Sequence, residues 1–288
     1  MLKKITVAHS PDADDIFMYY AIKFGWVTPK DAVFENIADD IETLNQATLK
    51  GQYDICAISF ALYPFVKNDY ALLKTAVSFG EGYGPKLMKR KGTKLKRNFK
   101  VALSGEFTTN ALLFKIAYPD ARITYMNFLD IEKAVIDGEV DAGVLIHESI
   151  LTYDEALEVE KEMWDVWVEL SGGDLPLPLG GMCLRRSLPL HNAIDYEKTL
   201  IKAVDVANKN RKVLAPMLLE KGLIRVDADT LDNYLDLYAN DNSVQLSEVQ
   251  YKALDKLYEL GYKHGFYENF IKAKDYLIPD DYEELRAR

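Results

Sequence analysis

The chain is predicted to be an α/β protein built as a two-lobed clamp, with mostly parallel sheets and extra helices at the C-terminal end. Three observations carry this. An order of strand, polar turn, helix, strand, helix, strand occurs twice. Within each copy a helix ends on a Gly, followed three residues later by an Asp and then a buried strand. A polar turn opens toward one side at each strand end, which is where α/β folds bind ligands.

The repeat is explicit. Leu44, Ala47 and Leu49 lead into Lys50-Gly51-Gln52-Tyr53-Asp54 and then Ile55-Cys56-Ala57-Ile58-Ser59. Ile131, Ala134 and Ile136 lead into Asp137-Gly138-Glu139-Val140-Asp141 and then Ala142-Gly143-Val144-Leu145-Ile146. The offset is 87 residues for the Gly (138 − 51) and for the Asp (141 − 54). Gly51 and Gly138 suit the left-handed position just past a helix. A second pair precedes these. Ile5-Thr6-Val7-Ala8 is a strand, His9-Ser10-Pro11-Asp12 a turn, and 14–24 a helix. Lys100-Val101-Ala102-Leu103, Ser104-Gly105-Glu106-Phe107 and a helix over 109–117 repeat the order.

After this, Gly180-Gly181-Met182-Cys183-Leu184-Arg185 reads as a short extended crossover. The remainder is helical over 196–221, 228–239 and 247–264, with Leu200, Ala203, Val204 and Ala207 spaced to face a core. These helices are expected to return to the first lobe. Residues 1–95 and 181–288 then make lobe one, and 96–180 an inserted lobe two. Crossings near 91–100 and 175–181 would be the hinge. Tyr234, Leu237 and Tyr238 are candidates for an exposed homodimer contact.

Composition limits the function classes. Of 288 residues, 49% are hydrophobic and 28% charged, as in an ordinary globular protein, and the net charge of −10 argues against a nucleic-acid partner. The one basic cluster, Lys86 to Lys100, reads as a solvated face. Two cysteines, Cys56 and Cys183, sit in apolar surroundings, and no CxxC or Cys/His spacing suggests zinc. The first residues run straight into a strand without an apolar signal region, and no segment approaches a membrane span, so a cytoplasmic protein is expected.

His147 is the leading functional candidate. It is one of four histidines and follows the buried run Val144-Leu145-Ile146, at a strand end. A locally satisfied histidine is the competing reading. Four turns can meet it in a cleft. Ser10-Pro11-Asp12-Ala13-Asp14-Asp15 offers a hydroxyl and three carboxylates; Asp12 or Asp14 can equally be a helix cap, and the acids could hold a metal, although no further ligand cluster supports one. Ala57-Ile58-Ser59 ends a strand. Thr108-Thr109-Asn110 opens a helix on a Gly turn, so its free amides suit an anion, or else Thr108 is only a cap. Leu175-Pro176-Leu177-Pro178-Leu179-Gly180-Gly181 is either a ligand contact or a rigid strand between lobes. No P-loop, dinucleotide fingerprint, HExxH or GxSxG occurs.

The string from Asp141 to Glu148, the following Thr152-Tyr153, the Thr108-Thr109 turn, the Leu-Pro-Leu-Pro-Leu-Gly-Gly run and Ser10-Pro11 resemble, in order, the 1,4-dihydroxy-6-naphthoate synthase family of the futalosine route to menaquinone. The resemblance runs from Ser10 to about Arg185. It implies a type II periplasmic-binding-protein fold and a cofactor-independent, metal-free lyase that converts cyclic dehypoxanthine futalosine, a small aromatic carboxylate, to 1,4-dihydroxy-6-naphthoate. It implies His147 as the proton-abstracting base. It implies substrate contacts at Ser10, Ala57, Ile58, Ser59, Thr108, Thr109, Asn110, Tyr153, Pro178, Leu179 and Gly180. Lys86 stands where an apolar residue is expected. The alternatives are a non-catalytic solute-binding protein for a small carboxylate and chorismate dehydratase on the same fold.

Overall fold

A computed structural model describes residues 2–173, 175–224 and 226–281. The first repeat unit comprises β1 (Lys3–His9), α1 (Ala13–Lys23), β2 (Ala32–Ala38), α2 (Ile41–Leu49) and β3 (Ile55–Ser59). A 3₁₀ turn at Phe60–Leu62, α3 (Tyr63–Val66), β4 (Tyr70–Leu72) and β5 (Ser78–Gly80) follow. Next come β6 (Lys86–Arg90), β7 (Lys100–Leu103), α4 (Thr109–Ala117), β8 (Arg122–Tyr125), α5 (Phe128–Ile136) and β9 (Ala142–Leu145). A 3₁₀ turn at His147–Ile150, β10 (Leu157–Glu162) and α6 (Met163–Ser171) complete that stretch. The chain returns through β11 (Leu177–Arg185) into α7 (Leu190–Lys209), α8 (Arg211–Glu220), α9 (Ala228–Tyr238) and α10 (Glu248–Lys263).

The two units become two sheets of matching order, β2-β1-β3-β11-β4 with β5 also on β11, and β10-β6-β9-β7-β8. In each, the first strand pairs in parallel with the second and third. The repeated Asp explains part of this. Asp54 accepts the Thr6 N–H at 3.0 Å, and Asp141 accepts the Lys100 N–H at 2.7 Å, so each acid ties its third strand to its first. Gly51 and Gly138 hold φ of 63° and 79°, the left-handed values that end their helices.

Each sheet is mixed rather than mostly parallel, because a strand arriving from the other half of the chain pairs antiparallel with its third strand. That strand is β11 on β3 and β6 on β9. This places Lys86–Arg90 in the second sheet, and Leu177–Gly180 in the first, against β5 and β3. The residues of these short strands do not say which sheet they join, since pairing is a non-local choice.

Two apolar cores result. One packs Ile5, Val7 and Phe17 with Leu200, Leu214 and Leu235 of α7, α8 and α9 on one face of the first sheet. The other runs from Leu44, Cys56 and Phe60 through Leu254 and Leu257 of α10 to Val101, Leu145 and Trp167. Hence α10 lies against both β11 and α6, joining the sheets, while α7 to α9 return to the first. The helix expected over 196–221 is two helices. Asn210 leaves helical geometry (φ −112°, ψ 22°) and its side-chain amide donates to the Val206 carbonyl, ending α7. No helix among the described residues is long and apolar enough to cross a membrane.

Candidate active site between the sheets

The strand ends of both sheets border one cavity of about 730 Å3, including its open mouth. Its wall includes Ser10, Asp12, Asp14 and Asp15 from the turn before α1, and Ala57, Ile58 and Ser59 from the end of β3. Thr108, Thr109 and Asn110 line it from the start of α4, His147 from the turn after β9, and Leu179 to Gly181 from β11.

His147 has one of two positive-φ non-Gly residues' backbones in the described chain; the other, Ala76, also lines the cavity. At φ 55° the histidine sits in a left-handed conformation that costs on the order of 1–3 kcal/mol and needs surrounding contacts to hold it. Those contacts exist. Phe128 meets the ring edge-on at 4.9 Å between centroids. Nδ1 donates to Asp12 Oδ2 at 2.8 Å. The neighbouring Glu148 accepts the Ala13 N–H at 3.1 Å. Both polar contacts cross from the second sheet to the first turn of α1 on the other sheet.

This geometry leaves Nε2 buried, with no hydrogen-bond partner among the described residues, on a ring that lines the cavity. Asp12 therefore selects the tautomer that carries its lone pair on Nε2. Burial pulls the imidazole pKa down most strongly. The charge and hydrogen bond of Asp12, with Glu148 and Asp14, together outweigh it and leave the pKa above its ordinary value. Asp12 is in turn gripped by the Ser10 hydroxyl.

The end of β3 and the start of α4 add neutral groups to the wall. Ser59 accepts from the Asn45 side-chain amide at 3.2 Å and donates its own N–H to Asn45 Oδ1 at 3.0 Å, so its hydroxyl proton is free to point at a ligand. Thr108 is spent as a cap: its Oγ1 accepts from the Ala111 N–H and donates to the Gly105 carbonyl. Thr109 Oγ1 donates to the Leu179 carbonyl at 3.1 Å, linking α4 to β11 across the cleft. What remains for a ligand is the backbone N–H groups of the first turn of α4 and the Asn110 side chain, an arrangement suited to an anion. Glu42 packs so closely on Gly105 that a Cβ there would lie 2.6 Å from its Cβ, and its carboxylate accepts the Phe107 N–H at 3.3 Å. Gly105 thus serves the contact between the lobes.

Two expected contacts lie elsewhere. Tyr153 is 36% exposed, with the Lys86 ammonium 5.6 Å from its ring centroid, outside the cavity. Pro178 pairs with Phe79 inside the first sheet, and the alternation of a strand points its side chain away from the wall formed by Leu179. Lys86 itself reaches Glu162 at 3.7 Å rather than the cavity. Gly181 makes room for Phe60, whose ring would stand 2.7 Å from an added Cβ.

Other wall residues were not foreseen. Tyr234 and Tyr238 of α9, expected to be exposed, are 2% and 5% exposed and line the cavity. Their spacing gave only a helix face, and nothing local says which sheet a C-terminal helix will cover. Asn45 carries no signal beyond a polar residue on a helix otherwise apolar at Leu44 and Ala47. No group of three His, Cys, Asp or Glu side chains among the described residues is placed to hold a metal ion.

Known proteins share this chain's family and fold. Residues 5–263 match a family described as menaquinone biosynthesis. A 1,4-dihydroxy-6-naphthoate synthase from Streptomyces coelicolor is 31% identical over 257 residues, 87% of this chain and 90% of that protein. A crystal structure of an Archaeoglobus fulgidus protein superposes with a TM-score of 0.84 at 34% identity, covering 91% of this chain and 98% of that one. The periplasmic aliphatic sulphonate binding protein of Escherichia coli shares the fold alone, with a TM-score of 0.64 at 12% identity over 96% of this chain and 98% of its own.

Proposed function

This chain belongs to the menaquinone-biosynthesis family, and on that premise we propose that it is a lyase that forms 1,4-dihydroxy-6-naphthoate from cyclic dehypoxanthine futalosine, with His147 as the base. One observation carries the base assignment: the imidazole is held by Asp12 through Nδ1 at 2.8 Å, while Nε2 is unpartnered on the cavity wall.

The chemistry follows from the unlike groups on the cavity wall. The ring carboxylate of the substrate is held by the amide-rich start of α4 with Asn110 and the Ser59 hydroxyl. This turns the opposite side of the molecule toward His147. Nε2 removes an acidic C–H proton, and aromatisation of the second ring drives expulsion of the sugar-derived fragment. A positioned base contributes about 10²–10⁴-fold. Asp12 stabilises the imidazolium that forms, and contacts between the lobes exclude water and fix orientation. Proton abstraction requires the neutral imidazole. Because its pKa is raised, activity should climb with pH through a value above the ordinary imidazole figure of about 6.5. A cytoplasmic location belongs to this proposal.

The test is direct. Purified protein is incubated with cyclic dehypoxanthine futalosine, and 1,4-dihydroxy-6-naphthoate is sought by mass. Product from the wild type and none from His147→Asn supports the reading. Saturable binding of the substrate without product would instead favour a solute-binding protein on this fold.

A further inference from the structure

Four carboxyl groups crowd the start of α1: Asp12, Asp14 and Asp15 of the turn, and Glu148 from the turn after β9. Three are held by donors. Asp12 takes the Ser10 hydroxyl and His147 Nδ1. Asp15 takes the Ser10 N–H at 2.8 Å. Glu148 takes the Ala13 N–H at 3.1 Å. Asp14 is 6% exposed and lines the cavity, yet forms no hydrogen bond or ion pair among the described residues.

One imidazole cannot offset four negative charges, and an unpaired buried carboxylate costs several kcal/mol. The start of a helix repays only about 0.3–1 kcal/mol. Asp15 shares the crowding, and burial pushes its carboxyl up to about 7 although the Ser10 N–H opposes this; Asp14, with no donor at all, is the acid held most firmly in its protonated form. Burial pushes the Asp14 carboxyl well above the usual carboxylate range, and the charges of Asp15, Asp12 and Glu148 push the same way against His147. The other groups that face it are the phenols of Tyr83, Tyr234 and Tyr238, whose pKa values burial also raises, so they stay neutral.

We propose that Asp14 is the acid of the reaction, giving its proton to the departing fragment from the same cavity wall that presents His147. The proposal rests on the reading of His147 as base. His147 Nε2 takes a proton from substrate carbon, and that C–H electron pair becomes the new ring double bond. The bond to the sugar-derived fragment breaks, and the pair leaving with the fragment is protonated by Asp14. Turnover leaves an imidazolium and a carboxylate, and proton exchange with solvent restores both.

The experiment measures kcat and KM across pH for the wild type, Asp14→Asn and His147→Asn. The pH-dependent infrared spectrum of the wild type is recorded against Asp14→Asn. We expect a wild-type profile that falls at high pH as Asp14 ionises. Asp14→Asn should lose that alkaline limb and about 10² or more of kcat, with KM little changed. The difference spectrum should show a neutral carboxyl at pH 7. Unchanged kcat with the alkaline limb intact in Asp14→Asn overturns the proposal, as does a carboxyl already ionised at pH 7, even if the variant folds poorly. The base reading fails separately, through a fully active His147→Asn. An inactive His147→Asn beside a wild-type-like Asp14→Asn sinks only the acid assignment.

Discussion

Phe60 and His147 stand at equivalent points of two copies of the same unit (147 − 60 = 87) and end up in opposite places. Each opens a 3₁₀ turn after the third parallel strand of its sheet. Phe60 is wholly buried, its ring tilted against Phe79 at 5.3 Å between centroids and seated against Gly181. His147 takes a left-handed backbone, and its ring reaches the cavity and the Asp12 carboxylate of the other sheet. A repeated fold thus supplies a strand end twice, and the sign of one φ angle distinguishes the end that builds core from the end that lines the cavity. The two neighbouring turns diverge as well. The turn before α1 brings three Asp side chains to the cavity, while the segment opening α4 lines it with the neutral Thr108, Thr109 and Asn110.

The largest effect expected from breaking this asymmetry comes at His147 itself. His147→Asn should leave ligand binding within a few-fold, judged by titration with the product, and lower kcat by about 10³, within the range for a positioned base. Full turnover in this variant would remove the residue as base. Asp12→Asn is the next test, because it keeps a hydrogen-bond acceptor for Nδ1 but removes the charge. It should lower kcat by about 10-fold or more. Since the Asp12 charge raises the His147 pKa, the acid limb of the pH profile should move to lower pH, and a limb that stays in place argues against the pairing.

A third substitution copies one unit into the other. Gly143 corresponds to Cys56 (143 − 56 = 87), but a Cβ at Gly143 would lie 2.4 Å from Ile131 Cγ2 and 2.9 Å from Val135 Cγ2. Gly143→Cys should push α5 off its strand and destabilise the fold by about 1–3 kcal/mol, read as a lowered Tm. An unchanged Tm would mean the helix can shift freely.

The smallest effect concerns stability at Asp14. Its folded-state pKa is raised, so the folded chain binds more protons than the unfolded one, and this contribution to stability is lost as pH rises above the unfolded value of about 3.9. Asp14→Asn, which resembles the protonated acid, should melt higher than the wild type at pH 8, with the gap closing toward pH 4. A gap of opposite sign would show that Asp14 is ionised and stabilising.

Much of the frame was legible because its signals are local. Helix α4 occupies Thr109–Ala117 as its periodicity indicates, and the Gly and Asp of each unit do the same job twice, since capping and strand ties depend on neighbours in the chain. Lys86 was a different case. Along the chain its basic cluster reads as a solvated face, and that Lys86–Arg90 forms a strand beside β9 is decided by non-local pairing. Tyr153 follows His147 closely in sequence, but the turn carries it to the exposed side.

The amino-acid order by itself determined that there are two alike α/β units, where their polar turns fall, and that a histidine ends one core strand. Periodicity, glycine punctuation and capping act over a few residues, so they can be read along the chain. Only the tertiary structure decided that His147 meets Asp12, 135 residues earlier (147 − 12), that Asn45 holds Ser59, and that Tyr234 and Tyr238 close the cavity. Those partners are chosen by how two sheets and a returning set of helices pack. The free energy of that packing is shared over the whole core and leaves no mark at any one position.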